Sequence, residues 1–253
     1  MNKDGSHGHT CHCPAGKGGP VCASDTTASF NQTSQLAIVS AAPESSGAPY
    51  ELSLSLRTTL PNCTSVVSGV DVLGRVVFAI DLREGLPAIQ VMGVDERMQP
   101  NLKGETLNDG EYWKIAVMSQ NATVKMLVWD AAMNKIAEAT WPLPGTWRVF
   151  TTKFGGGSGD DQHQSAFTGC IRDVIINGKH VIPAEHAATS LNVALGCPRL
   201  TQCTNDTCSG NGKCVDLWDH YSCDCKRPFL PPQCAESLVE STFGRENVRS
   251  YAR

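Results

Sequence analysis

Two groups of residues in this 253-residue chain could do chemistry by type and spacing. The first is a set of twelve cysteines. Cys203, Cys208, Cys214, Cys223, Cys225 and Cys234 are spaced C-x4-C-x5-C-x8-C-x-C-x8-C, and the spacing of the last three recurs in Cys11, Cys13 and Cys22. The second is His7, His9, Cys11, His12 and Cys13, since imidazole and thiolate are good zinc ligands. The zinc reading gives way if Cys13 has another partner, and no metal site is assigned. Other reactive types are scattered. Asp81 with Glu84 and Asp109 with Glu111 are the nearest carboxylate pairs, but glycoside hydrolysis needs two acids flanking one bond, and these pairs sit at a strand end and in a turn. Ser158 misses the G-x-S-x-G nucleophile pattern by one position. His163, His180 and His186 are dispersed, and no catalytic residue is assigned.

The six-cysteine spacing resembles the epidermal growth factor (EGF) module; spacing alone leaves fifteen connectivities open. The resemblance implies Cys203 with Cys214, Cys208 with Cys223, and Cys225 with Cys234. Cys11 to Cys22 resembles the back half of such a module, which implies Cys13 with Cys22 and leaves Cys11 without its partner. A module of about thirty residues cannot bury enough apolar surface to offset its chain entropy. Covalent loop closure must supply roughly 2–5 kcal/mol per bridge. Such bridges persist in oxidising compartments, so the chain is expected outside the cell. Four N-x-S/T sequons, at Asn31, Asn62, Asn121 and Asn205, agree with a secretory route.

A net charge of −4 gives nucleic acid no basic surface to bind. No apolar run approaches the roughly 18 residues of a membrane span, and Met1 to Cys13 has no secretory apolar core. Disulfide chemistry without a leader predicts a segment of a longer secreted or membrane-anchored protein, with no membrane contact in the segment itself.

These thiols must be carried by sheets. Tyr50, Leu52, Leu54 and Leu56 alternate with Glu51, Ser53, Ser55 and Arg57, the period of a half-buried strand. Val76, Phe78, Ile80 and Leu82 repeat the pattern, as do Trp113, Ile115 and Val117, then Val124, Met126 and Val128. Such strands, separated by turn signals such as Asn108-Asp109-Gly110, predict an antiparallel sandwich. LNDGEYWKIAV (107–117), FTGCIRDVIINGK (167–179) and YELSLSLRTT (50–59) resemble laminin G domains. The resemblance implies an all-β jelly-roll sandwich with a bridge between Cys170 and Cys197. Cys63, after Pro61-Asn62, is expected in a loop; it either bridges Cys11 or is free, and the free state is preferred.

Laminin G domains often hold calcium at one rim of the sandwich. Here the loop that would offer a ligand reads Asp71-Val-Leu-Gly74-Arg75, and the facing loop offers Thr151 and Thr152. Asp160 and Asp161 read as a solvated loop. In the EGF module, Asp216 and Tyr221 fit the pattern for aspartate hydroxylation, but Arg199 and Gln202 stand where calcium-binding modules place acids or amides. No cofactor is therefore expected, calcium being the one left open. The implied organisation is 1–24, the C-terminal half of an EGF-like module; 25–198, a laminin G-like domain; 199–235, a complete EGF-like module; and 236–253, a linker with the first strand of a following laminin G domain.

Alternation of these modules resembles the Crumbs, neurexin, Slit and Flamingo-type cadherin families. Crumbs is favoured because the chain after Ser237 reads like the opening strand of another laminin G domain. That resemblance implies a non-catalytic recognition or adhesion module of a larger polarity protein, binding an extracellular protein or glycan. A lectin-like secreted protein and a glucanase-type sandwich enzyme are the alternatives.

Overall fold

The computed structural model describes residues 11–40, 49–145, 147–156, 165–198, 202–216, 218 and 220–238. The chain divides into two compact units, Met1–Pro198 and Arg199–Arg253. In the first, strands run in order as β1 (Lys17–Gly18), β2 (Ser24–Asp25), β3 (Ala28–Phe30), β4 (Gln35–Val39), β5 (Tyr50–Arg57) and β6 (Cys63–Val70). Next come β7 (Val76–Arg83), β8 (Leu86–Val91), β9 (Trp113–Gln120), β10 (Thr123–Trp129), β11 (Lys135–Pro142) and β12 (Thr151–Gly155). Short strands β13 (Ser165–Ala166), β15 (Lys179–His180), β16 (Ser190–Leu191) and β17 (Ala194–Leu195) surround the longer β14 (Gly169–Ile176).

These strands form two sheets around one apolar core. The first sheet has the order β11-β10-β9-β5-β14-β3-β17, with β15 on β14. The second runs β16-β4-β12-β6-β7-β8, with β13 parallel to β6. Alternation explains which face each strand buries. Leu52, Leu54 and Leu56 stand opposite Val117, Ile115 and Trp113, and Val117 and Ile115 stand opposite Met126 and Val128. Phe78, Ile80, Leu82, Val67 and Phe154 of the second sheet close the core from the other side. Each such side chain contributes about 1.5–3 kcal/mol by leaving water.

One strand departs from its pattern. Phe78, Ile80 and Leu82 are buried, but Val76 is 52% exposed and Val77 is buried instead. The register slips there: Gly69 pairs with Phe78 but Val70 pairs with Val76, so Val77 is an extra residue that inverts the inside-outside phase. Cys63 also departs from expectation. It opens strand β6 and is 1% exposed, because its strand pairs with β7 immediately after Pro61 and Asn62.

The laminin G-like motifs have physical reasons. Gly110 takes φ 77°, and the Asp109 carboxylate then accepts the Glu111 N–H at 2.9 Å and the Trp113 indole N–H at 3.0 Å. At Gly169 a Cβ would lie 2.2 Å from the Arg57 carbonyl oxygen.

The N-terminal segment belongs to the same compact unit as the sandwich. Lys17 pairs with Asp25, so the β1–β2 hairpin straddles residue 24. A bulge in β14 between Arg172 and Ile175 places Asp173 at φ 53°. Its carboxylate accepts the Gly16 N–H at 2.9 Å and the Thr26 hydroxyl at 2.7 Å. Beside this seam the guanidinium groups of Arg172 and Arg57 lie 3.7 and 4.6 Å from the Tyr112 ring centre.

The second unit contains two small hairpins, β18 (Gly212–Asp216) with β19 (Tyr221–Cys225) and β20 (Phe229–Leu230) with β21 (Glu236–Ser237). Most of the 237–253 segment lies outside the described residues.

Candidate functional site

The rim of the sandwich at the β6–β7 turn is where the laminin G resemblance would place a calcium ligand, the ion the sequence left open. Asp71 begins the turn, and its carboxylate is fully engaged by the turn itself. One oxygen accepts the N–H groups of Leu73 and Arg75, each at 2.9 Å. The other meets the Arg75 guanidinium at 2.8 Å from Nε and 2.7 Å from Nη2. The backbone N–H of Arg75 is the largest of the influences holding this carboxyl below its ordinary range. On the neighbouring strand Thr151 pairs with both Val70 and Val39. Thr152 is wholly buried, its hydroxyl 2.9 Å from that of Tyr50. Calcium needs six to eight oxygens. Here the carboxylate is committed to a cation four residues away and one threonine faces the core, so these residues do not fit the ion.

The rim presents apolar side chains instead. Val72 and Leu73 are each 72% exposed, and Val39, Val76 and Met92 are exposed beside them. An adjoining cleft of about 210 Å³ is lined by Val77, Val91, Met92, Pro144 and Trp147. Large contiguous apolar patches are uncommon on the surfaces of monomeric proteins. The sequence missed this surface because Val72 and Leu73 read as loop residues, and only the Asp71–Arg75 clamp shows why the loop holds its shape.

The carboxylate pairs do not assemble acid–base sites. Asp109 is consumed by Glu111 and Trp113, while Glu111 lies 3.4 Å from Arg57. Asp81 is 5% exposed, accepts the Ser65 N–H at 2.9 Å, and lies 3.5 and 3.6 Å from the Arg83 and Arg97 guanidiniums. Exposed His180 sits on β15 and His186 in the 3-10 helix Pro183–Thr189. Among the described residues no three His, Cys, Asp or Glu side chains gather as a metal site. His7, His9, Ser158, Asp160, Asp161, His163 and Arg199 lie outside the described residues.

The thiols are arranged as five bridges and two free groups. Cys13–Cys22, Cys170–Cys197, Cys203–Cys214, Cys208–Cys223 and Cys225–Cys234 are bonded, with Cα separations of 5.2 to 5.8 Å. Cys11 is free and exposed; Cys63 is free and buried. Burial pushes the Cys63 thiol up to about 12, against a smaller opposing effect of its hydrogen bond with the Leu82 backbone. The sequon asparagines Asn31, Asn62, Asn121 and Asn205 are all exposed. Asp216 ends β18 opposite Tyr221 and accepts the Trp218 N–H at 2.9 Å. No helix among the described residues is long and apolar enough to cross a membrane.

Comparison with known proteins bears on this architecture. A laminin G domain model matches residues 56–179, and an EGF-like domain model matches residues 203–229. Protein crumbs homolog 2 of Homo sapiens is 32% identical over 254 residues, covering 99% of this chain and 19% of that protein. Protein crumbs homolog 1 of Mus musculus is 24% identical over 269 residues, with the same coverages of 99% and 19%. Neurexin-4 of Drosophila melanogaster is 26% identical over 134 residues, 52% of this chain and 10% of its own length. The chain thus spans about a fifth of the curated Crumbs relatives, 19% of each. The LG1-3 region of the laminin alpha2 chain superposes with a TM-score of 0.57 at 13% identity, covering 71% of this chain and 36% of that one. Domains LG4-5 of the mouse laminin alpha1 chain give 0.52 at 14% identity, covering 74% and 49%. Fold, bridges and relatives converge on one assignment: the chain is an extracellular laminin G/EGF-like multi-module polypeptide related to the Crumbs proteins.

Proposed function

We propose that this chain acts as a non-catalytic recognition and adhesion module of a larger, membrane-anchored polarity protein, and that it engages its extracellular partner through the apolar rim without calcium. The observation that carries this reading is the β6–β7 turn, where Arg75 occupies the Asp71 carboxylate and Val72 and Leu73 face solvent. A rim of this composition suits a protein surface better than a sugar, because desolvating two aliphatic side chains is favourable only against another apolar surface. The non-catalytic reading is supported by the carboxylates themselves: Asp81 faces Arg83 and Arg97, and Asp109 is taken up by Glu111 and Trp113, so neither stands opposite a second free acid as bond cleavage requires. N-glycans on Asn31, Asn62, Asn121 and Asn205 and hydroxylation of Asp216 belong to the same extracellular reading.

Binding of the fluorescent secreted chain to epithelial cell surfaces tests the proposal. Val72→Ser combined with Leu73→Ser is expected to weaken binding about tenfold, and EGTA is expected to leave it unchanged. Binding that disappears in EGTA, or that ignores both substitutions, overturns the rim reading.

A further inference from the structure

A second surface lies on the outer face of the second sheet. The register sets one row of residues side by side across five strands: Ala37 opposite Lys153, Lys153 opposite Ser68, Ser68 opposite Ala79, and Ala79 opposite Gln90. Their sequence neighbours Ile38, Phe154, Val67, Phe78 and Ile89 are core residues, so the row itself faces outward. Ser68 and Ala79 are short and lie between the long side chains of Lys153 and Gln90. The face therefore dips, and a cavity of about 490 Å³ opens there. That volume falls within the range of roughly 300–1,000 Å³ common for ligand sites. The row spans four inter-strand steps, roughly 19 Å at about 4.8 Å each.

The polar groups around this depression are fixed before any ligand arrives. β6 bulges between Cys63 and Val67, with Ser65 at φ 55°. The Ser65 N–H meets the buried Asp81 carboxylate at 2.9 Å. Asp81 in turn lies 3.6 Å from Arg97, which stands over the cavity. The Gln90 amide donates to the Val94 carbonyl at 2.5 Å, which orients its remaining oxygen. Lys153 also lines the cavity, and no ion pair holds its ammonium among the described residues.

We propose that this groove binds an oligosaccharide carrying carboxylates, with Lys153 pairing a carboxylate and Ser68, Gln90 and Arg97 hydrogen-bonding sugar hydroxyls. The strand backbones are spent in the ladder, so an extended peptide finds no edge here to augment. A ligand on this face must be read by side chains alone, which a polyhydroxylated chain permits. Charge sets the class further. The one carboxylate of the lining, Asp81, is shared by Arg97 and by Arg83 behind it, while the second cation of the lining, Lys153, has no carboxylate partner among the described residues. One uncompensated ammonium fits a polymer with a single carboxylate per repeat, whereas a densely sulfated chain needs a cation cluster. Asp81 has no second free acid beside it in the cavity lining, so the groove binds without cleaving. The cavity adjoins the rim, sharing Gly74 and Val76 with it, but it does not use Val72 or Leu73 and does not depend on the rim reading.

Calorimetric titration of the full 253-residue secreted chain with hyaluronan hexasaccharide, and in parallel with neutral chitohexaose, tests the assignment. Binding of the acidic sugar alone is expected, unchanged by EGTA and by Val72→Ser with Leu73→Ser. Lys153→Gln is expected to weaken it at least tenfold, and Ala79→Trp, which fills the floor, to abolish it. Should Ala79→Trp fail to fold, Gln90→Ala replaces it, with an expected loss of about fivefold. Absence of hexasaccharide binding, equal affinity for chitohexaose, or indifference to Lys153→Gln overturns the groove assignment. None of these outcomes touches cell-surface binding by the rim, so the two readings fail separately.

Discussion

Both units carry disulfides, but only the sandwich also buries a free thiol among the described residues. In the second unit the buried apolar side chains among the described residues are themselves bridge cysteines, Cys208 and Cys234. In the sandwich Cys63 is buried among valines and leucines as an ordinary small side chain, unbonded. A domain with two facing sheets can treat a thiol as packing, while a module too small for a core must make its core from bridges. The difference teaches where each unit keeps its stability, and it can be broken from either side.

The largest expected effect is in the sandwich. Phe154 is wholly buried between the two sheets, and Phe154→Ala should cost about 3–5 kcal/mol. Denaturant unfolding should show the loss in the sandwich transition, with the EGF-like module unaffected. Replacing Cys208 and Cys223 by alanine should cost roughly 2–5 kcal/mol, enough to unfold the small module. Loss of the amide dispersion of Gly212–Cys225 with the sandwich signals intact would be the signature, and simultaneous melting of both units would break the comparison.

A smaller effect is expected at the seam. Asp173→Ala removes two hydrogen bonds in a part-buried seam that water can reach, and should cost about 1.5–3 kcal/mol in all. Hydrogen exchange at Gly16 and Thr26 should accelerate while exchange in β5 and β9 stays slow; uniform acceleration would mean that Asp173 supports the whole sandwich instead.

The effect that is smallest near neutral pH, where it vanishes, is the one that titrates. The Cys63 thiol is raised from about 9 to about 12 by burial. The folded chain keeps its proton where the unfolded chain loses it, so stability should fall as pH rises from about 9 towards 12. The slope is at most about 1.4 kcal/mol per pH unit. Cys63→Ala should remove that slope, and alkylation of the folded chain should label Cys11 alone.

The same contrast explains what the residues revealed in advance. Strands β5, β9 and β10 were legible because alternation of Leu, Ile and Val with polar residues has one cheap solution, a half-buried strand. The phase of β7 was not, because a single extra residue opposite Gly69 inverts the pattern and leaves no mark in composition. Cys63 was misplaced because Pro61 and Asn62 carry turn chemistry right up to the strand. At the rim, Arg75 was visible as a departure from an acidic position; that it closes onto Asp71 is a matter of turn geometry. The groove was hidden entirely. Lys153, Ser68, Ala79 and Gln90 come from four strands, and only the register brings them into one row. The seam was hidden for the same reason, since Gly16 and Asp173 are 157 positions apart.

The position of Asp173 has a mechanical meaning. It sits on β14, the strand that also carries Cys170, and Cys170 is bonded to Cys197 close to the end of the unit. The chain enters through a hairpin fastened at Asp173 and leaves past a bridge fastened at Cys170. Tension along a tethered polypeptide would therefore travel through one short stretch of a single interior strand. Rim and groove, carried by the second sheet, lie off that load path. The hydrogen-bonded fastening would give before the covalent one, so force would peel away the N-terminal hairpin while the binding surfaces kept their shape.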